Sequence, residues 1–239
     1  MKRYNDIFID FDDTLYDTRG NAIIALAEMF DFFSLGKNFD DPDFFYDSYW
    51  KTNLELWTLY NKGAIDRPYL MVERFRRPLS LGKGLENVSE KFCLEVSDKF
   101  LEFCSNKPGT VKGAHELVGY LKNQGYRLHI CSNGFHEVQY KKLRACGLYD
   151  YFDNVILSED AGANKPSRTF FDYAFEKTGA KVETTLMIGD NYNADIEGAM
   201  DYGLDTILFN RWDPDFVPPR KPTYIVKELS EIQGLIVND

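Results

Sequence analysis

Two carboxylates, one residue apart, follow a short apolar run near the start of the chain. Asp10 and Asp12 come directly after Ile7-Phe8-Ile9, a run that is typical of a buried strand. Ligands of open parallel sheets bind where strands end, and residues with this spacing can face one crevice if the chain turns there. One carboxylate can then attack phosphorus while the other transfers a proton. A solvated turn or a helix cap is the alternative explanation of the same residues.

Three more polar groups occur later in the chain. Ser132-Asn133-Gly134 follows one apolar run, and Gly189-Asp190 with Asp195 follows another. Between them stands Lys165-Pro166, and a residue before proline avoids helical geometry, which predicts a lysine at a loop-to-helix transition. Taken singly, each group also has an ordinary explanation as a turn, a surface loop or a helix cap.

The order of these groups resembles the haloacid dehalogenase superfamily of aspartate-nucleophile phosphohydrolases, and the resemblance covers nearly the whole chain. It implies that Asp10 is the nucleophile and that Asp12 protonates the leaving oxygen and then activates water. It also implies that Ser132, Asn133 and Lys165 bind the substrate phosphate, with the lysine neutralising both phosphate and nucleophile. To act as an acid at neutral pH, Asp12 needs a raised pKa, whereas Asp10 must stay ionised.

The resemblance further implies a bound Mg²⁺. Its ligands would be the Asp10 carboxylate, the backbone carbonyl of Asp12 and the Asp190 carboxylate, and such hard oxygen ligands suit this cation. Asp195 would orient metal-bound water without touching the metal itself. For Asp190 and Asp195, helix capping and first-turn charge remain the alternative.

From Val111 onward the sequence alternates between helical spacing and short apolar runs. Repeated units of this kind predict an α/β fold, a Rossmann-like doubly wound parallel sheet. The predicted strands are 127–131, 154–157, 184–188 and 206–209, and the predicted helices are the one ending near 123, 136–146, 167–178 and 194–202. Residues 214–222 are predicted to form a proline-containing loop before a short last strand and helix.

Between the first motif and Val111, apolar residues recur every three to four positions and predict an all-helical insertion of about four helices. We therefore expect a Rossmann-like core of residues 1–17 and 106–239 and a helical cap of residues 18–105. The resemblance implies that this cap closes over the site and selects the leaving group. Its aromatic residues form the core of a small helical bundle or, in the alternative, stack a nucleobase; they include Phe44, Phe45, Tyr49, Trp50, Trp57 and Tyr60.

Composition restricts the partners and the location. A chain of 239 residues with 44% hydrophobic residues can bury a large core, and its net charge of −10 argues against a nucleic-acid polymer as partner. Membrane spans need about 18 apolar residues in a row, and no such run occurs.

The start of the chain does not have the pattern of a signal peptide, because Asp6 and Asp10 interrupt the apolar stretch that would have to follow Met1-Lys2-Arg3. The four cysteines lack CxxC spacing, so we expect reduced thiols and a cytoplasmic protein, as a monomer or homodimer.

Other chemistries lack their residues. The cysteines lack the arginine that thiolate phosphatases carry, and neither a P-loop nor a nucleophile elbow occurs. The three histidines lack metal-ligand spacing. Within the superfamily, dehalogenases do not need Asp12, and residues 17–21 lack the cap-hinge histidine of the sugar-phosphate mutases. Phosphonate-cleaving relatives use a cap lysine. The spacing of Lys37, Lys51 and Lys62 does not exclude that role for any of them.

Further residues resemble the bacterial pyrimidine 5′-nucleotidases. They are Gly63-Ala64-Ile65, Arg74-Phe75 and the run from Asp195 to Asn210. The sequence thus predicts a Mg²⁺-dependent phosphatase that hydrolyses small phosphorylated metabolites, with 5′-nucleotides as the favoured substrates. The alternatives are a sugar-phosphate or phosphoglycolate-type phosphatase and, from another class, a non-catalytic protein that binds a phosphometabolite.

Overall fold

The computed structural model describes residues 4–213 and 215–236. Two sets of residues named above lie outside the described residues. They are Met1-Lys2-Arg3, which resemble the start of a signal peptide, and Pro214, the first residue of the predicted loop. The chain forms two compact units, Met1–Thr18 with Pro108–Asp239, and Arg19–Lys107.

The described residues form a run of helices between the first and the second strand, and helices and strands then alternate along most of the rest of the chain. The α-helices are α1 (Thr18–Phe32), α2 (Pro42–Asn61), α3 (Arg67–Leu79), α4 (Glu90–Ser105), α5 (Ala114–Asn123), α6 (His136–Ala145), α7 (Ser158–Ala161), α8 (Arg168–Thr178), α9 (Gly198–Tyr202) and α10 (Ser230–Leu235). The strands are β1 (Asp6–Ile9), β2 (Arg127–Ser132), β3 (Asn154–Leu157), β4 (Thr185–Gly189), β5 (Asp205–Phe209) and β6 (Tyr224–Val226).

The six strands form one parallel sheet in the order β3-β2-β1-β4-β5-β6. The direction of winding reverses between β1 and β4, and open α/β sheets bind ligands beside the strand ends at such a point. Ile9 pairs with Ile130 of β2 and with Ile188 of β4, so the ends of these three strands lie level with one another. The predicted fold class, a doubly wound parallel sheet with an all-helical insertion, is confirmed.

Strand β1 is buried along its whole length. Ile7 and Ile9 belong to one apolar cluster and Phe8 belongs to another, because successive side chains of a strand point to opposite faces of the sheet. The apolar run Ile7–Ile9 is typical of a parallel strand covered on both faces, and the strand ends immediately before the polar residue Asp10.

The second unit consists of helices, as the apolar spacing predicts. Tyr49 lies at its centre, with ring centroids 4.9 Å from Phe75 and 5.3 Å from Phe100. Phe45 is also buried, whereas Phe44 is 53% exposed. At least Phe45 and Tyr49 thus serve the core of this unit.

One predicted helix has a different form. In place of a single α-helix over 194–202, a π-helix spans Tyr192–Glu197 and continues into α9. The Asp195 carboxylate folds back and accepts a hydrogen bond of 3.0 Å from the Asn191 main-chain N–H. π-Helical turns occur frequently at functional sites, and the wider turn here accommodates a buried aspartate.

All four cysteines are buried and present as thiols rather than as disulfides. Within residues 4–213 and 215–236, none of the helices combines the length and the apolar character that a membrane-spanning helix requires.

Candidate active site

Asp10 follows the last residue of β1, and its carboxylate is almost completely buried. The Lys165 ammonium donates to one carboxylate oxygen at 2.8 Å, and the Thr14 hydroxyl lies 3.1 Å from the other. The same hydroxyl lies 3.2 Å from an oxygen of Asp190, beyond the end of β4. The side chain of the predicted nucleophile therefore faces both the predicted lysine and the predicted acid of the last motif.

Three carboxylates converge at this point. Asp10, Asp190 and Asp195 each offer one oxygen, and these three oxygens lie within 4.8 Å of one another. Lys165 also donates to Asp195 at 2.6 Å and to the main-chain carbonyl of Cys131 at 2.6 Å. The cluster thus brings together side chains that are far apart in the sequence and places a single ammonium between two of its three acids.

The proton affinities reflect this excess of negative charge. Burial first, and then the neighbouring Asp195, raise the pKa of Asp10 to about 7, although Lys165 opposes the shift. The pKa of Asp190 is raised well above its usual value by burial and by Asp10 and Asp195. Burial would lower the pKa of Lys165, but the attraction of Asp10 and Asp195 outweighs it and raises that pKa. The lysine therefore stays charged beside the carboxylates.

The donor set of this cluster fits a hard divalent cation. Carboxylate oxygens are ligands that Mg²⁺ prefers, and a divalent charge would relieve the repulsion among the three acids. Asp10 and Asp190, both predicted as ligands, are members of the cluster. Asp195 is a member as well, with its other oxygen bonded to the Asn191 N–H.

The Asp12 carboxylate has different neighbours. One oxygen accepts hydrogen bonds from the Lys142 ammonium at 2.6 Å and the Thr18 hydroxyl at 2.7 Å, and the other accepts one from the Gln139 amide. The Asp12 carboxylate is not a member of the three-acid cluster, and metal binding by its main-chain carbonyl stays a prediction.

The expected order of proton affinities is reversed in this structure. We expected a raised pKa for Asp12 and an ionised Asp10. Burial alone would raise the pKa of Asp12, but Lys142, together with the hydrogen bonds from Thr18 and Gln139, outweighs burial and lowers it. The ammonium of Lys142, which the sequence analysis did not anticipate, is the physical reason.

Ser132 is the last residue of β2, and Asn133 follows it beside this site. The Ser132 hydroxyl oxygen accepts hydrogen bonds from the Gly134 N–H at 3.0 Å and from the Gln139 amide at 2.6 Å. The Asn133 side chain bonds to the main chain of Lys165 on both sides, accepting from its N–H at 2.8 Å and donating to its carbonyl at 3.0 Å. Asn133 thereby fixes the segment that carries the lysine, and phosphate binding by its side chain stays a prediction.

Sequence reasoning missed Thr14, Gln139 and Lys142 as members of the site. Thr14 stood within the first acidic motif and gave no separate signal. Gln139 and Lys142 lie on α6 among its buried residues, although a buried helix face is normally apolar. The presence of two polar residues on the same helix face as Val138 and Leu143 was the signal in the sequence that could have identified them.

The chain is similar to known proteins over nearly its whole length. A family model described as haloacid dehalogenase-like hydrolase matches residues 6–203. The chain is 32% identical over 237 residues to the HAD-hydrolase YfnB of Bacillus subtilis (strain 168), covering 99% of this chain and 97% of that protein. It is also 32% identical over 235 residues to the pyrimidine 5′-nucleotidase YjjG of Escherichia coli (strain K12), covering 98% of each.

Two further comparisons extend this picture. A glyceraldehyde 3-phosphate phosphatase of Methanothermobacter thermautotrophicus is 32% identical over 210 residues, which are 85% of this chain and 84% of that protein. A crystal structure of B. subtilis YfnB bound to magnesium matches with a TM-score of 0.85 and 31% identity, covering 98% of this chain and 99% of that one. These matches confirm the resemblance that the motifs indicated: the chain belongs to the haloacid dehalogenase-like hydrolase family.

Proposed function

We propose that this protein is a Mg²⁺-dependent phosphatase that hydrolyses small phosphate monoesters through an aspartyl-phosphate on Asp10, with 5′-nucleotides as the favoured substrates. The observation that carries this proposal is the position of the Asp10 carboxylate, buried against Lys165 and beside Asp190 and Asp195. A carboxylate in such surroundings is fixed in place and can serve as a nucleophile toward phosphorus.

In the first step, an oxygen of Asp10 attacks phosphorus and the bond from phosphorus to the leaving oxygen breaks. Asp12, in its protonated form, gives its proton to that oxygen, so the alcohol leaves neutral. The positive charge of Lys165 compensates the negative charge of the phosphoryl group, and the Ser132 hydroxyl donates a hydrogen bond to one of its oxygens. Asn133 keeps Lys165 in position through the two bonds to its main chain.

In the second step, Asp12, now a carboxylate, takes a proton from a water molecule whose oxygen attacks phosphorus. The bond between phosphorus and Asp10 breaks, inorganic phosphate leaves, and Asp12 is again protonated. The two steps together consume one water molecule for each ester and regenerate both aspartates.

The side chains of Asp10 and Asp190 and the main-chain carbonyl of Asp12 would hold Mg²⁺, with Asp195 supporting them through Lys165 and Asn191. When bound, the cation supplies positive charge between the anionic nucleophile and the anionic phosphate.

The reversed proton affinities fit this scheme once both ligands are considered. A divalent cation beside Asp10 lowers its pKa and keeps the nucleophile ionised. A phosphate dianion near Asp12 adds negative charge and raises the pKa of that acid, against the pull of Lys142. Asp12 therefore becomes a competent acid only in the presence of substrate.

The similarity to the pyrimidine 5′-nucleotidase YjjG supports nucleotides as the substrate class. The similarity to a glyceraldehyde 3-phosphate phosphatase favours sugar phosphates as the second candidate. The role of residues 18–105 as a cap, a cytoplasmic location and a monomeric or dimeric state stay predictions.

The test is a panel of phosphate esters assayed with Mg²⁺ and with chelator, for the wild type and for Asp10→Asn. We expect chelator-sensitive phosphate release that falls about a thousandfold or more in Asp10→Asn, because the amide is a poor nucleophile. Turnover that is unchanged in this variant would refute the proposed mechanism. Equal kcat/KM values for nucleotides and sugar phosphates would leave a phosphatase but remove the preference for nucleotides.

A further inference from the structure

We propose that Gln139 is a positioning residue that orients the Ser132 hydroxyl and the Asp12 carboxylate together, so that phosphate binding and proton transfer depend on one amide group. This inference rests on the proposed function and extends it to a side chain that bonds to two predicted site residues. Lys142, which follows three residues later on α6, bonds to Asp12 and provides the natural comparison.

The Gln139 amide nitrogen has two hydrogens, and the structure uses both. Gln139 is completely buried, and its Nε2 lies 2.6 Å from the Ser132 hydroxyl oxygen and within hydrogen-bond distance of an Asp12 carboxylate oxygen. An amide NH₂ group offers two donors in fixed directions, so one side chain sets the relative position of the two groups.

The consequence for Ser132 concerns its single hydroxyl hydrogen. A hydroxyl oxygen has two lone pairs, and here they accept from the Gly134 N–H at 3.0 Å and from Gln139 at 2.6 Å. With both lone pairs occupied, the hydroxyl can only donate. Ser132 is therefore prepared as a donor to an anionic oxygen before substrate arrives, which is the preorganisation that phosphate binding requires.

The orientation of the amide is fixed by charge. In the opposite orientation, its carbonyl oxygen would face the Asp12 carboxylate, and two acceptors would repel each other. The observed orientation leaves the Gln139 Oε1 buried without a hydrogen-bond partner among the described residues. A buried acceptor without a partner costs stability, and such groups in native structures often mark a functional constraint.

Gly134 makes room for this amide. A Cβ added at Gly134 would overlap the Gln139 side chain, with Nε2 the nearest atom. The glycine of Ser132-Asn133-Gly134 is thus required by the close approach of Gln139. Alanine at this position would force the amide away from Ser132 and Asp12.

The experiment compares four variants in the presence of Mg²⁺. Gln139→Met keeps length and volume but removes both donors, and Lys142→Met removes a donor to Asp12 alone. Lys141→Met is the matched control, because its exposed lysine neighbours Lys142 on the same helix. Gly134→Ala displaces the amide without removing it. The readouts are kcat/KM for p-nitrophenyl phosphate and for an alkyl phosphate, which reports the first step and not the shared hydrolysis of the aspartyl-phosphate, and the dissociation constant of inorganic phosphate by calorimetry.

An aryl leaving group departs without a proton, whereas an alkoxide needs one from Asp12. We expect Gln139→Met to lower kcat/KM about fivefold for the aryl phosphate, through weaker phosphate binding, and about 10- to 100-fold further for the alkyl phosphate. Its dissociation constant for inorganic phosphate should rise about fivefold, since one donor is no longer aligned. Lys142→Met should show the leaving-group effect with unchanged phosphate affinity, and Lys141→Met should match the wild type.

Two results would overturn the proposal. One is a Gln139→Met variant that slows both esters equally and keeps its phosphate affinity, because a merely structural side chain would do that. The other is wild-type behaviour of that variant. Should Gln139→Met not fold, Gly134→Ala decides in its place, and it should reproduce both effects. A wild type that turns over no ester refutes the proposed function instead, and the phosphate affinities then decide on Gln139 alone.

Discussion

Asp10 and Asp12 are separated by one residue at the end of the same strand, yet their carboxylates have opposite electrostatic surroundings. Asp10 shares one ammonium, that of Lys165, with Asp195 in a cluster that also contains Asp190, and its pKa is raised to about 7 by burial and by Asp195. Asp12 accepts from an ammonium, a hydroxyl and an amide, and its pKa is lowered. The neighbours, and not the position on the strand, distinguish the two carboxylates.

The difference also indicates what each region needs to function. The acidic cluster around Asp10 has one ammonium for three carboxylates, so a divalent cation would stabilise it and keep the proposed nucleophile ionised. The surroundings of Asp12 are already balanced by Lys142 and require no cation. The predictions below contrast these two regions, beginning with the largest expected effect.

The two lysines should differ in their contribution to folding. Lys165→Met leaves buried carboxylates without a counter-charge, which should lower the free energy of unfolding by about 3–5 kcal/mol. Lys142→Met should cost only about 1 kcal/mol, because the Asp12 side chain keeps 29% of its surface exposed and retains the bonds from Thr18 and Gln139. Urea unfolding of the metal-free proteins measures both values. Equal losses would contradict the contrast between the two regions.

Magnesium should stabilise the protein through one region only. At a concentration one hundred times the dissociation constant, a ligand that binds only the folded state adds about 2.7 kcal/mol. We expect this gain in the wild type and also in Asp12→Asn, because the wild-type Asp12 carboxylate faces Lys142 and not the acidic cluster. In Asp190→Asn we expect little of the gain, because a carboxylate of the cluster is lost. Thermal unfolding at increasing Mg²⁺ measures the gain. Its loss in Asp12→Asn would place the Asp12 side chain at the metal.

The smallest expected effect is the slope of stability with pH in the metal-free protein, at most about 1.4 kcal/mol per pH unit for one group. The pKa of Asp10 is about 7 in the folded state against 3.8 ordinarily, so between about pH 4 and pH 7 the folded chain retains a proton that the unfolded chain has lost. Raising the pH through this window therefore lowers stability, and Asp10→Asn should reduce that slope. In Asp12→Asn the slope should be unchanged, because the lowered pKa of Asp12 confines its contribution to more acidic pH. An identical slope in the wild type and Asp10→Asn would contradict the electrostatic account of the cluster.

Much of the fold was predictable because periodicity reports burial directly. The predicted strand 154–157 agrees with β3, and the helix predicted from 136 begins at His136 as α6. The π-helix Tyr192–Glu197 was not predictable, since it depends on where the buried side chain of Asp195 finds its partners. Propensities describe neighbours along the chain and contain no information on such contacts.

The positions of the predicted site residues follow from strand order, and Asp10, Lys165, Asp190 and Asp195 do lie together. Their proton affinities could not be predicted, because Lys142 approaches Asp12 from a helix 130 residues later in the sequence. The motifs in the sequence identify which carboxylates and which lysine form the site. The hydrogen-bonding partners that shift the pKa values of these groups are known only from the three-dimensional structure.

The most direct test of the central claim is to trap the phosphorylated enzyme. Wild type and Asp12→Asn are mixed with Mg²⁺ and p-nitrophenyl phosphate, quenched rapidly with acid and analysed by mass spectrometry of the peptide that contains Asp10. We expect a phosphoryl group on Asp10, with more of it in Asp12→Asn, where hydrolysis of the acyl phosphate lacks its base. Turnover with no phosphoryl group on Asp10, or with one on another residue, would contradict the account.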